Sequence, residues 1–349
     1  MTAATGPPSV SFPSSIFAAL SPAPFLRAHL TRSSADSPSQ RPNGRAPTAF
    51  RVPAINASSL THCNGSAVVR LGDTAVVCGV RSEILLASDV TDTRSIQVAE
   101  ARLATGSADE EALDHEAGEV DALSLLVPNI ELATGCNPSH LPGNPPSQLA
   151  QTLAQRILNL LHTTRLVRAR NLRILYKPPP VPSDTDVSES SQEPEVKAYW
   201  TLYIDILFMS LDGNAFDAAW VALLAALKDT RLPEAYWDAE NEMILCSDSP
   251  SKAKSLDLRG LPVPATYSVF SLPAADGLET QTWVLADPDA FEEELCSETV
   301  CVVVDCSGSG KSRICKIEKS GGCVLERSTM RELVTQAEKR WTDWKEVFS

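Results

Sequence analysis

Long apolar runs are missing from this chain of 349 residues. No stretch approaches the roughly 18 consecutive apolar residues that a membrane-spanning helix needs, so no membrane role is expected. Close-spaced cysteines are missing too. The nine cysteines, at 63, 78, 136, 246, 296, 301, 306, 315 and 323, form no CxxC pair, which argues against a structural zinc site. They read as reduced thiols, and Cys78 and Cys301 lie in apolar runs where a thiol packs as a small hydrophobe. The five histidines (29, 62, 115, 140 and 162) are dispersed, and neither HExxH nor GxSxG occurs. No metal and no cofactor is expected. Cations are scarce: 30 Lys and Arg against 44 Asp and Glu leave a net charge of -14. Such a chain is not one that coats nucleic acid by itself. A local basic patch stays open, because charges are screened beyond roughly 8 Å at physiological salt.

What is present is ordered along the chain. Residues 1–50 are rich in Ser, Pro and Ala with four arginines and one acid, Asp36. That composition fits either a transit segment or a disordered tail, taken here as 1–19, ahead of a docking helix and extended segment at 20–45. SAVVRL (66–71) and TAVVCGV (74–80) are β-branched runs flanking Gly72-Asp73, which suits a type II′ hairpin. The acid-rich stretch 104–121 reads as an exposed loop, and 124–132 as a strand. Leu149, Leu153, Ile157, Leu160 and Leu161 recur at helical spacing behind a Ser147 cap. The Pro- and Ser-rich stretch 178–195 has no apolar periodicity and reads as a disordered insertion.

Residues 198–211 are apolar at nearly every position, the pattern of a strand covered on both faces, and 216–227 reads as a buried helix. Four further strands, ATYSVFSL, QTWVLADP, TVCVVVDC and RICKIEKS, precede a helix from about Ser328, with Thr329 and Glu332 as a capping box. Its apolar face is Met330, Leu333, Val334, Ala337, Trp341 and Trp344. The alternation of strands and helices predicts an α/β (α+β) protein. The halves are drawn at 46–240 and 241–349. Gly310-Lys311-Ser312 ends like a phosphate-binding loop, but Asp305 stands where that loop needs glycine and RICKI follows in place of a helix. A hairpin is the better reading. Asp205 and Asp212 are the acids near the buried strand. They could pair to hold a metal or to work as acid and base, or could serve as a surface hydrogen-bonding residue and a turn residue.

Taken in order, LSPAPFLRAHL (20–30), Arg41-Pro42-Asn43-Gly44-Arg45, NGSAVVRLGDTAVVCGVRSEI (64–84), LVPNIEL, IDILFMSLDGNAFDAAWVALLAAL and LADPDAFEEEL resemble the RNase PH superfamily. Within it they resemble the non-catalytic RNase PH-like ring subunits of the eukaryotic RNA exosome. The resemblance implies an RNase PH-like fold of two related βα halves, with mixed sheets covered by helices. It implies a six-membered ring with other RNase PH-like subunits, S1/KH-type cap subunits, an associated hydrolytic ribonuclease, and single-stranded RNA in the channel. It also implies RNA processing and degradation, including that of ribosomal RNA, in the nucleus, nucleolus and cytoplasm. Active members cleave RNA from the 3′ end with inorganic phosphate.

The departures concern that chemistry. Where active members have a Pro-Arg-Glu stretch, this chain has Arg81-Ser82-Glu83, and the segment 136–155 holds no Lys or Arg. Asp212-Gly213 resembles the D-G of the catalytic strand without its phosphate cradle. The expectation is an inert subunit with no catalytic residue, in which Asp205 and Asp212 are vestigial acids and Arg81 and His140 are the candidates on the RNA path. The alternative is an active phosphate-dependent 3′–5′ exoribonuclease whose site is completed by a neighbour.

Overall fold

The computed structural model describes residues 13–31, 39–90, 118–137, 140–141, 143–178, 194–273, 280–296, 298–308, 312–322 and 324–348. The first sheet is built around one long strand, β6 (Glu195–Ser210). On one side β1 (Ala54–Ala57), β2 (Gly65–Leu71) and β3 (Thr74–Leu86) form an antiparallel run that ends on β6. On the other side β4 (Leu126–Leu132) pairs in parallel along residues 202–208, and β5 (Arg173–Tyr176) pairs antiparallel along 195–199. The hairpin turn between β2 and β3 has Gly72 at φ +62° and pairs Leu71 with Thr74, as its sequence predicts.

Two short antiparallel pairs follow: β7 (Arg231–Leu232) with β10 (Lys254–Ser255), and between them the hairpin of β8 (Ala235–Asp238) with β9 (Met243–Cys246). The second sheet has the order β12-β11-β13-β14, from β11 (Val263–Pro273), β12 (Thr280–Ala286), β13 (Glu298–Asp305) and β14 (Arg313–Ser320). All its pairings are antiparallel, so only the first sheet is mixed, contrary to the expectation for both. The antiparallel β13–β14 pairing brackets the GSGKS run and puts a strand, not a helix, after Ser312; residues 309–311 lie outside the described residues.

Seven helices carry labels here: α1 (Ser14–Leu20), α2 (Pro22–Leu30), α3 (Gln148–Thr164), α4 (Ala169–Leu172), α5 (Ala215–Asp229), α6 (Ala290–Leu295) and α7 (Arg327–Phe348). α5 is buried from Ala215 to Leu227, lies on β2 and β3, and reaches β11 of the second sheet. Each large apolar side chain buried this way contributes roughly 1.5–3 kcal/mol. With α3 and α7 it joins both sheets into one continuous core. A smaller cluster of Leu26, Leu30, Phe270, Leu285 and Cys296 holds α2 against the other face of the second sheet. The buried thiols behave as hydrophobes: burial pushes Cys301 and Cys296 up to about 12.

Several sequence readings need correction. The tail drawn at 1–19 includes α1, which starts after Pro13 and packs Phe17 edge-on against Phe25; residues 1–12 lie outside the described residues. The insertion drawn at 178–195 lies outside them from 179 to 193, and Glu195 already belongs to β6. The acid-rich stretch drawn at 104–121 does not end as an exposed loop, since Glu119 is buried in an ion pair with Arg173. The boundary at 240/241 falls inside the β8–β9 hairpin, where backbone pairing crosses it. β6 is covered on both faces near Tyr199 and Thr201, but its second face opens at Tyr203 and Asp205 and is exposed at Met209. Leu149 is exposed as well, while Ser147 does cap α3 by accepting the Ala150 N–H at 3.2 Å. α7 begins at Arg327, so Thr329 already lies inside it and cannot be its cap.

The chain after β6 lies close against the 288–290 segment. Gly213 has φ +65°, and a Cβ there would sit 2.4 Å from the Asp289 carbonyl carbon and 2.7 Å from the Ala290 nitrogen. Both obstacles are backbone, so neither can move aside cheaply. Gly213→Ala is expected to destabilise the fold by about 2–4 kcal/mol from left-handed strain plus overpacking, read as a lowered urea midpoint at unchanged m-value.

Candidate nucleic-acid interface

The first sequence-predicted cluster forms on the open face of the first sheet. Arg81 of β3 donates to Asp205 of β6 through Nη2 at 3.0 Å and Nε at 3.2 Å. Asn129 of β4 donates to the other carboxylate oxygen at 3.3 Å. Directly opposed residues share a face of a sheet. By register, this face therefore also carries Glu83 opposite Thr201 and Glu131 opposite Leu207. Around Asp205 one cation meets three acids. That balance repels a phosphate, and the single exposed pair is worth at most about 1 kcal/mol.

His140 lies in the connection between β4 and α3, where its backbone N–H donates to the Asn137 carbonyl at 3.0 Å. Among the described residues no hydrogen bond or ion pair joins it to Arg81, Asp205 or Asp212. Behind this connection, Arg156 is turned to internal work. It pairs with Glu318 at 3.2 Å and stacks 4.2 Å over the Phe216 ring.

Asp212 lies elsewhere. Six residues lie between it and Asp205, five of them in β6, roughly 20 Å at the usual strand rise, so the two do not form a carboxylate pair. It sits in the turn onto α5 and touches the 287–290 segment. Its Oδ1 accepts the Ala290 N–H at 3.2 Å, its Oδ2 pairs with Arg51 at 3.5 Å, and its own N–H donates to Thr74 Oγ1 at 2.9 Å.

The residues that sequence reasoning missed are the partners of these motifs. Asp287, fully buried and at φ +50°, accepts both arms of Arg51 at 2.9 Å, the Arg45 guanidinium at 3.2 Å and the Asn214 amide at 2.5 Å. Arg41, also buried, pairs with Glu292 at 3.0 Å and donates to the carbonyls of Ala46 and Ala49. Asn43 donates to Asp289 at 2.6 Å. Asp289 and Glu292 form the capping box of α6. The Arg-Pro-Asn-Gly-Arg motif and the Ala-Asp-Pro-Asp motif are thus two sides of one clamp. Arg340 of α7 extends it by pairing with Asp217 of α5. The signal available in sequence was only that both motifs are rich in charge. Arg41 and Glu292 lie 251 positions apart, and nothing local announces their pairing.

Burial opposes ionisation of Asp287, but the hydrogen bonds from Arg51 and the fields of Arg340 and Arg51 outweigh it and hold the carboxyl well below its usual range. Among the described residues no group of His, Cys, Asp and Glu could hold a metal ion.

The sequence pattern of the 3′ exoribonuclease family, domain 1 (RNase PH), matches residues 49–233, more than half the chain, and the protein belongs to this family. Over 98% of its length it is 29% identical to the exosome complex component rrp43 of Schizosaccharomyces pombe, all of which is covered. It is 25% identical to a putative exosome complex exonuclease, RRP42, of Dictyostelium discoideum over 85% of this chain and 88% of that one. The fold matches a chain of the Archaeoglobus fulgidus exosome solved with RNA bound to the active site, with a TM-score of 0.61 at 22% identity, covering 93% of this chain and 97% of that one.

Removing the charge of Asp287 tests the clamp. Its folded pKa is depressed, so its stabilisation is complete above the unfolded value of about 3.9 and is lost as pH falls through and below it. Asp287→Asn is expected to cost about 3–5 kcal/mol at pH 7, the price of breaking a buried pair. The gap to the unmutated chain should narrow as pH falls from 5 to 3, measured by denaturant titration at each pH.

Proposed function

We propose that this chain is a catalytically inert ring subunit of an RNA exosome core, whose work is to assemble the ring and shape the RNA path for 3′-to-5′ processing and degradation by other subunits. Full-length likeness to a named exosome component supports the assembly. The observation that carries inertness is the state of the two acids. Asp205 is paired with Arg81 among further acids, and Asp212 is engaged by Arg51 and the start of α6. Phosphorolysis needs several cations converging on phosphate and the scissile linkage together. Among the described residues Asp205 has the single cation Arg81 beside it, and the arginines near Asp212 are held by Asp287 and Glu292.

The ring partners of this reading are other RNase PH-like subunits, with S1/KH-type caps, an associated hydrolytic ribonuclease and single-stranded RNA. Its sites of action are the nucleus, nucleolus and cytoplasm. The two sheets with their helices are read as the family's two related halves, with the division lying outside the β8–β9 hairpin. Arg81, on the open face of the first sheet, and His140, in the β4–α3 connection, stay the RNA-path candidates.

Obligate interfaces are large and apolar. The isolated chain is therefore expected to be poorly soluble and to be rescued by co-expression with another RNase PH-like subunit; a monodisperse monomer at micromolar concentration would contradict this. In the reconstituted ring, Asp205→Ala and Asp212→Asn should leave phosphate-dependent RNA degradation unchanged within about twofold, whereas losing a true acid–base group costs about 10²–10⁴-fold. A loss of that size would establish the composite active site instead.

A further inference from the structure

A cluster of arginines lies away from both acids, at the far end of α3. Arg165 caps α3 there, and Arg168 leads into α4. The 257–260 segment is fastened alongside: the Arg259 N–H donates to the Leu166 carbonyl at 2.9 Å, and Val167 and Leu258 form a β-bridge. The next residue, Gly260, lies against Asp305, whose carboxylate takes the N–H and hydroxyl of Ser307, the Leu261 N–H and the guanidinium of Arg313 at 3.3 Å. Four arginines from three separate segments therefore converge on a frame of backbone bonds. The charge they share is close enough to act on Arg259, whose pKa is lowered by burial and then by Arg313, Arg165 and Arg168, with Asp305 opposing. A helix C-terminus accounts for a nearby cation or two, but not for Arg259 and Arg313, which arrive from elsewhere.

We propose that Arg165, Arg168, Arg259 and Arg313 form a binding site for the phosphodiester backbone of single-stranded RNA. The inference rests on the reading of this chain as an RNA-handling ring subunit and adds a contact surface to it. Guanidinium groups present planar forks that match phosphate oxygens, and the four are arginines without exception. RNA supplies one charge per nucleotide at fixed covalent spacing, so consecutive phosphates can engage arginines held by different segments. The site lies at the opposite end of the 17-residue α3 from the 133–147 connection, about 25 Å away at the usual helical rise. It is thus separate from the surface that holds His140. Ser307 and Arg313, on either side of residues 308–312, are both tied to Asp305, so the patch meets the ends of two paired strands.

The test uses the full chain co-expressed with its ring partners and a fluorescent oligouridine. The double variant R168Q/R259Q should weaken RNA binding about tenfold or more and flatten the log K against log salt slope by roughly 1.4, about 0.7 for each lost single-strand phosphate contact. R168K/R259K should keep most of the slope, and photo-crosslinked RNA should map to peptides spanning 165–170 or 257–261 of the unmutated chain. Unchanged RNA binding by the glutamine variant in a ring that still assembles would overturn the site while leaving the ring reading intact. Failure to join a ring, with the variant still losing RNA affinity, would do the reverse. Displacement of RNA by millimolar inorganic phosphate, or preferential binding of polyglutamate, would assign the patch to a different ligand and overturn the proposal.

Discussion

Asp287 cannot be buried as an anion unless Arg51, Arg45 and Asn214 all reach it, and that requirement orders much of the molecule. Arg51 comes from the chain just ahead of β1, Arg45 from the turn of the N-terminal motif, and Asn214 from the start of α5. To deliver all three, the N-terminal arm must cross the end of the first sheet and settle against α6. The chain after β6 must turn through left-handed conformations at Gly213 and Asn214. The cost of an unpaired buried charge then penalises any other arrangement of these segments. Two sheets that share one core are thereby fixed at this joint.

This gives the family's signature residues a structural meaning in this chain. Arg41 and Arg45 do not reach outward; they close on Glu292 and Asp287. The Asn43 amide donates to Asp289, which a carboxylate at this position could not do. Asp212 is adjacent to the same joint and takes part in it through Arg51. The motif therefore holds the shape of this joint through its own ion pairs. On the open face of the first sheet, Glu83 and Glu131 flank the Arg81–Asp205 pair by register.

The secondary structure was legible wherever period and punctuation agreed. Gly72-Asp73 between two β-branched runs, Ser147 ahead of a leucine stripe, and the all-apolar α5 each carry their signal locally. α1 was missed because seven residues after a proline give too short a pattern to separate from a Pro- and Ser-rich tail. The start of α7 was misplaced because Thr329 and Glu332 have cap spacing while the helix is already under way. The candidate site was half legible. Arg81 and Asp205 do meet, but Asp212 and His140 do not join them. Long-range pairings such as Arg173 with Glu119 and Arg41 with Glu292 leave no trace at the level of residue spacing.

The central claim is that the N-terminal arginines and the acids after β6 are spent on one another and offer no grip to an attacking anion. A high-resolution structure of the chain within its ring, determined in saturating phosphate, bears on this most directly. The account predicts Arg51 on Asp287, Arg41 on Glu292, and no phosphate within hydrogen-bonding distance of Asp212 or its neighbours. Phosphate bound between Arg45 and Arg51 beside Asp212, with the bonds to Asp287 broken, would contradict it.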